Sequence, residues 1–551
     1  MNRTQELFGK TNYDCSSEAT TKNEDGFLAF ERSLHETYLQ MLMTNTLGNT
    51  FYVNKRDLLD RSHDLHKKML KEDLDFMAKA VLYARNKGYM RLQPILGLAY
   101  VSTANDKSYF KAIFDSVIRT PGDLEDFVTI CGSIRKGKGL GRSVKKTISK
   151  WLNNMSEYHA IKYGASRKVG WDLGDIIKVS HPNPKDENQG NLFNYVANGE
   201  GNISKLPQIN ELERVKNLAS LRSNGSISDE KFSAQVIDAI EKGRLPWEIV
   251  TGIIKPSVKI WEYLMKQMPY FALLRNLNTL TRAGVLESKE NVDYVVSRLT
   301  NEHAIKKSMI FPFRFYTALD NTDACAKIRE ALRDAAEISF SNVPDLKGSS
   351  HYFLDISGSM SGEYLKIGGV LGVAAFMKSE DPNFMCFESR LQYADLSKKD
   401  SLTTNLSKVL NLRQGGTNTG LCLQHMLGEV GMTSHWGWGG GSINGYHKNV
   451  PESVKSTSPI KTDNIIIITD EQQNAGSMVL SLFRKYKKKV NPNANLFVVN
   501  VAPYSGHFAD KDEPGCHFIY GWSDQVLSYL SFAAEDKDAQ VNHVKSIELR
   551  L

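Results

Sequence analysis

Residues 350–359 read SHYFLDISGS, and this stretch decides how the C-terminal third of the 551-residue chain folds. Tyr352, Phe353 and Leu354 form a continuous apolar run that stops at Asp355. A run this short, rich in aromatic residues and ended by polar ones, reads as a strand buried on both faces. Two more follow, at residues 464–468 (NIIII) and 495–501 (NLFVVNV). Helical patterns occupy 362–378, 418–430 and 476–489. Strands alternating with helices imply parallel pairing through crossovers. We therefore expect a doubly wound α/β domain over residues 346–551, entered through a Pro/Gly-containing linker at 342–348.

The residues that end these strands carry chemistry. Asp355, Ser357 and Ser359 follow the first strand, Thr417 follows Gly415 and Gly416, and Asp470 closes the run IIIITD. In a doubly wound sheet the ligand crevice lies beyond the carboxyl ends of the strands, so both aspartates aim at one place. Two carboxylates and three hydroxyls make a hard, all-oxygen donor set. It suits Mg²⁺ first, with Mn²⁺ or Ca²⁺ as alternatives, and disfavours Zn²⁺. Ser357, Ser359 and Thr417 would bind the ion directly. Asp355 and Asp470 would act largely through water, leaving a position for an acidic group of a partner. A pair of capping residues after a strand would give the same local D-x-S-x-S. The spaced Gly-Gly-Thr and Thr-Asp turn it into a metal pattern, one that resembles the adhesion site of von Willebrand factor A domains.

From about residue 25 to 341 the pattern is helical. Phe30, Leu34, Tyr38 and Leu42 recur every four residues, and similar stripes follow, for example at 65–84, 145–152 and 324–338. Many short helices without strands suggest an irregular α-solenoid over residues 25–345, behind a flexible N-terminus of residues 1–24.

Within that array, residues 131–170 hold ten basic residues and one acidic, a net of +9 against +7 for the whole chain. Lys136, Lys138, Arg142, Lys145, Lys146, Lys150, Lys162, Arg167 and Lys168 are candidate RNA contacts. Such a concentration attracts phosphates and releases counterions, although most charge runs are merely solvated faces. Trp171 and His181 could add stacking and hydrogen bonds. Gly132–Gly139 nearly matches a phosphate loop but lacks the final hydroxyl and a preceding strand, so nucleotide hydrolysis is not indicated. The cluster Arg484, Lys485, Lys487, Lys488 and Lys489 is read as complementing a helix dipole. The Gly- and Ser-rich segment 431–460 is read as a surface insertion. Its His435, Trp436, Trp438 and Tyr446 are able to stack on a base or a partner.

Apolar residues at 41% and charged residues at 24% exclude wholesale disorder and collagen-like sequence. No apolar run reaches the ~18–20 residues of a spanning helix, and the polar N-terminus has no signal-like core. Six cysteines without C-x-x-C spacing read as reduced thiols, hence a cytoplasmic location.

Longer segments carry a resemblance: GRSVKKTISKW from 141, GWDLGDIIKVSHPNP at 170–184, MPYFALLRNLNTLTRAGVLE at 268–287, the D-I-S-G-S-M run and TDEQQNAG at 469–476. Together with a helical array joined to an A domain, they resemble the TROVE family of Ro-type RNA-binding proteins. The resemblance implies HEAT-like repeats closed into a ring by the A domain, with a positively charged hole. It implies small noncoding Y-like RNAs on the outer surface and single-stranded 3′ ends of misfolded RNAs in the hole. It further implies a non-enzymatic, monomeric scaffold acting in RNA quality control, with an exoribonuclease among its partners. Lys162, Arg167 or Lys168, and His181 match family positions for Y RNA contact; Arg142, Lys145 and Lys146 match a basic run. The alternative is a metal-dependent module that recruits an acidic partner through the A domain.

Overall fold

In the computed structural model, which describes residues 16–164, 170–308, 310–340, 345–431, 445–510, 512–523, 525–532 and 538–551, helices run almost unbroken from Leu34–Thr44 to Ala326–Ile338. Local chemistry sets their starts. Ser33 and Glu36 form a reciprocal capping box ahead of Leu34–Thr44. The apolar stripe at 65–84 belongs to two helices, Lys55–Glu72 and Leu74–Asn86. They are split where the Asp73 carboxylate accepts the Phe76 backbone N–H at 2.9 Å. An aspartate that caps one helix ends the one before it. Each helix buries one stripe and packs mainly on neighbours one or two places along the chain. Arg142–Leu152, for example, buries Val144, Ile148 and Leu152 and leaves its basic residues outside. This is the expected α-solenoid.

The segment before the first helix departs from the helical reading. Two-residue strands β1 (Thr21–Lys22) and β2 (Leu28–Ala29) pair antiparallel around a turn. That turn docks on the C-terminal domain, where Asn23 Nδ2 donates to the Gln473 carbonyl at 2.7 Å. Residues 16–24, placed in the flexible N-terminus by sequence, thus make tertiary contacts here.

The C-terminal domain is a six-stranded sheet, β3 (Leu346–Asp355), β4 (Ser379–Phe387), β5 (Leu391–Gln392), β6 (Asn464–Thr469), β7 (Asn495–Asn500) and β8 (Cys516–Tyr520), in the order β5-β4-β3-β6-β7-β8. All neighbours are parallel except the β5 edge. The order reverses between β3 and β6, which makes that pair the topological switch point. Sequence reasoning found β3, β6 and β7 and missed β4, β5 and β8. β4 opens with the exposed, Pro-containing run Glu380-Asp381-Pro382, which carries no strand signal, and β8 has only five residues.

Both ends of the helical array pack on this domain. Leu34–Thr44 meets β8 and the Ala539–Lys545 helix, whereas Phe313–Asn321 and Ala326–Ile338 meet the Glu363–Lys378 and Leu402–Leu410 helices. The ends also touch each other, with the Tyr89 and Phe311 rings 6.0 Å apart and Phe311 against Trp522. The helices and the α/β domain therefore form a closed circuit, sharing one continuous apolar core. No helix is long and apolar enough to cross a membrane among the described residues.

Candidate metal centre and nucleic-acid interface

Parallel register brings the two aspartates together. Leu354 pairs with Ile468, so Asp355 ends β3 beside Thr469, and Asp470 follows on the next turn. Thr469 Oγ1 donates to Asp355 Oδ2 at 2.7 Å, and the Ser357 backbone N–H donates to Asp355 Oδ1 at 2.9 Å. The Ser357 and Ser359 hydroxyl oxygens lie 3.2 Å apart. The Gly-Gly-Thr loop joins through the Gly358 N–H, which donates to the Gly415 carbonyl at 2.8 Å. A Cβ at Gly415 would meet the carboxylate end of the Glu388 side chain, which would have to shift. Thr417 is fixed by its backbone N–H donating to Asn474 Oδ1 at 3.0 Å. All five sequence-predicted residues are thus brought to one end of the sheet, and each is buried. Asn474, which fixes Thr417, was not among the candidates, and Thr469 entered only as the threonine of the strand-end Thr-Asp; both lie in the TDEQQNAG segment.

The electrostatics fit a cation. Burial pushes the Asp355 carboxyl up to about 6. Burial and then the charge of Asp355 push Asp470 up to about 8. Asp470 Oδ1 accepts the Gln472 N–H, while its Oδ2 is buried beside the Ser359 hydroxyl, with no hydrogen bond of normal geometry among the described residues. An orphaned buried carboxylate oxygen beside a second carboxylate and three hydroxyls is the environment a hard divalent ion would stabilise. Asp355 already accepts one hydrogen bond on each oxygen, which suits a role through water more than direct ligation. A cleft of about 220 Å³ opens at Ser359, walled by Asn49 and Phe51 of the array and by Tyr364 and Trp522.

The next residue, Glu471, turns the other way. It sits at φ +61° and bonds Arg32 of the array at 3.0 Å and His507 Nδ1 at 2.9 Å, all buried. Burial alone would raise its carboxyl; His507 and Arg32 hold it down to about 2. A charged residue directly after a strand-terminal aspartate was the available signal for this seam, and it went unread.

The basic segment divides. Lys136, Lys138, Arg142, Lys146 and Lys150 are exposed and Lys145 is half-buried; among the described residues none of the six forms an ion pair. Lys136, Gly137, Gly139 and Gly141 all have positive φ. The N–H groups of residues 136–138 bond back to Ser133, Gly132 and Arg135, so this is a helix-ending turn with no phosphate cradle. Lys162 departs from the expectation of a free RNA contact. It pairs with Glu248 at 3.0 Å and lies near the Tyr158 and Tyr163 rings, which leaves it 22% exposed. Its acidic partner comes from a helix some 85 residues downstream, which no local charge count includes. His181 is exposed at the left-handed cap of Leu173–Ser180. Trp171 is half-buried, with its backbone N–H donating to Thr129. Arg167 and Lys168 lie outside the described residues, as do His435, Trp436 and Trp438. Tyr446, which was read as a possible stacking residue, is occupied. Its hydroxyl bonds His425 Nδ1 at 2.8 Å and accepts the Ser456 N–H at 2.9 Å.

Comparison with known proteins agrees with this architecture. Residues 245–407 match the TROVE domain. RNA-binding protein RO60 of Caenorhabditis elegans is 24% identical over 497 residues, covering 76% of this chain and 72% of that protein. RO60 of Deinococcus radiodurans is 22% identical over 443 residues, covering 74% and 80%. A stretch of 103 residues, 18% of this chain, is 34% identical to telomerase protein component 1 of Mus musculus, where it covers 4%. The crystal structure of the Deinococcus radiodurans RO (RSR) protein superposes with a TM-score of 0.61 at 18% identity, over 91% of this chain and 100% of that one.

Proposed function

We propose that this chain, whose residues 245–407 match the TROVE domain, is an RNA-binding scaffold of ribonucleoprotein type without an enzymatic step of its own. The observation that carries this reading is the set of cations Lys136, Lys138, Arg142, Lys145, Lys146 and Lys150, which form no ion pair among the described residues; the first two lie in a turn and the other four on a helix whose apolar side is locked into the array. Cations left without carboxylate partners are available to phosphates. The names of the RO60 relatives support the same assignment. In finer detail we read the Lys136–Lys150 surface, with His181, as the site for a small structured Y-like RNA. The closed circuit of helices would receive single-stranded 3′ ends of misfolded RNAs. A role in RNA quality control, with an exoribonuclease as partner, is what the resemblance to Ro-type proteins adds to this reading. Charge reversal of Lys145 and Lys146 to glutamate tests the reading. RNA affinity should fall more than tenfold in a gel-shift titration with no loss of thermal stability. Unchanged affinity would sink it.

A second reading concerns the A domain, and the orphaned Asp470 Oδ2 favours it. Ser357, Ser359 and Thr417 would hold a divalent cation directly, with Asp355 and Asp470 around it; Mg²⁺ suits the donor set best. The bound ion would supply a Lewis-acidic position for a partner's carboxylate. Mg²⁺ should raise the melting temperature of the wild type and leave that of Asp470→Asn unmoved. RNA affinity should be the same in both.

A further inference from the structure

The helices Tyr270–Arg282 and Phe313–Asn321 enclose a cleft of about 460 Å³ that the basic segment does not touch. Its size falls within the range of ligand-holding clefts, roughly 300–1,000 Å³. Leu274, Leu277 and Ala318 line it with apolar surface. Phe271 stands at its edge, 42% exposed. A single exposed aromatic residue is ordinary. This one differs in its surroundings. Arg275, one turn further along the same helix, holds its guanidinium 5.7 Å from the Phe271 ring centroid. Arg275 is exposed and makes no ion pair among the described residues. Across the cleft, Arg314 stacks 4.7 Å from the Phe313 ring and pairs with Glu363, so its charge is largely spent. The lining contains no carboxylate.

The polar groups of the cleft are already turned inward. Asn278 Nδ2 donates to the Asn321 carbonyl at 2.6 Å, and Asn278 Oδ1 accepts the Thr322 hydroxyl at 3.2 Å. Asn321 Nδ2 donates to the Thr317 carbonyl at 2.7 Å. Toward solvent the cleft presents the Phe271 face, Arg275 with no ion pair among the described residues, the exposed Asn321 and an apolar floor. That set matches the requirements of an unpaired nucleotide: a π-face to stack on and a cation for the adjoining phosphate.

We propose that this cleft holds one unpaired base of a single-stranded RNA, stacked on Phe271, with its neighbouring phosphate on Arg275. The inference rests on the RNA-binding reading and adds to it a contact face in the other half of the array, one without base preference. The test measures binding of a fluorescent oligouridylate, the same oligonucleotide with abasic sugars, and an RNA hairpin to the full chain and to variants. Phe271→Ala and Phe271→Leu should each weaken oligouridylate binding roughly tenfold, the scale of one stacked base. Phe271→Trp should preserve it. Abasic oligonucleotide and hairpin binding should stay within about twofold for all three, and Arg275→Ala should weaken both single strands. Melting curves guard against misfolding, which an exposed residue gives little reason to expect. If Phe271→Leu binds oligouridylate like wild type, or if poly-glutamate competes as well as oligouridylate, the stacking site is wrong while the scaffold reading stands. A wild type that binds none of the RNAs overturns both.

Discussion

The helices Arg142–Leu152 and Val479–Lys489 are alike in length and both strongly basic, yet their charges have opposite fates. In the second, Arg484 bonds Glu18 and Glu513, Lys487 bonds Glu513, and Lys485 pairs with Glu429. Its lysines also crowd the helix C-terminus, where they complement the dipole. In the first, Arg142, Lys145 and Lys146 occupy the N-terminal half, where positive charge opposes the dipole, and no carboxylate comes to them among the described residues. One cluster is consumed by the fold; the other is held against local electrostatic preference. Basic composition does not mark a binding surface by itself. The supply of tertiary carboxylates decides.

The largest effect that would sharpen this contrast is that of salt. If six cations of the 136–150 surface neutralise phosphates of a structured RNA, raising salt from about 50 to 200 mM should cost roughly a thousandfold in RNA affinity. A flat response measured by fluorescence anisotropy would remove the electrostatic account. Next in size is Glu513→Gln, which strips the shared partner from Arg484 and Lys487. Because Glu513 is largely buried, stability should fall by about 2 kcal/mol, read as a lower denaturation midpoint, with RNA affinity unchanged. Were RNA affinity to rise instead, the freed cations would have become a second binding surface and the contrast would be one of pairing alone. The smallest effect is expected for Lys162→Ala. Its ammonium is committed to Glu248, so RNA affinity should move by no more than about twofold in the same titration. A tenfold loss would mean that RNA outcompetes the glutamate.

Lys162 also shows where sequence reading runs out. Counted along the chain it is one of ten cations facing a single acid, while in space it faces Glu248, whose helix lies beyond the segment counted. The convergence of the candidate metal ligands was legible for the converse reason. Each candidate ligand sits at a strand end or in the loop that follows one, and the parallel sheet converts those sequence positions into proximity without further information. The Glu471–Arg32–His507 seam could not be read so. It joins residues more than 400 positions apart, and only the docking of the array on the sheet brings them together.

Apolar periodicity along the chain was enough to specify a helical array followed by a doubly wound domain, because burial of one stripe or one strand is a local demand on sequence. The strand-end aspartates and hydroxyls marked out a candidate site for a hard ion on the same grounds. Which cations remain free, where an aromatic face is left open beside an arginine, and that both ends of the array close on one domain were settled only in three dimensions. Charge pairing and cleft formation depend on surfaces contributed by distant segments, and no window of sequence contains them.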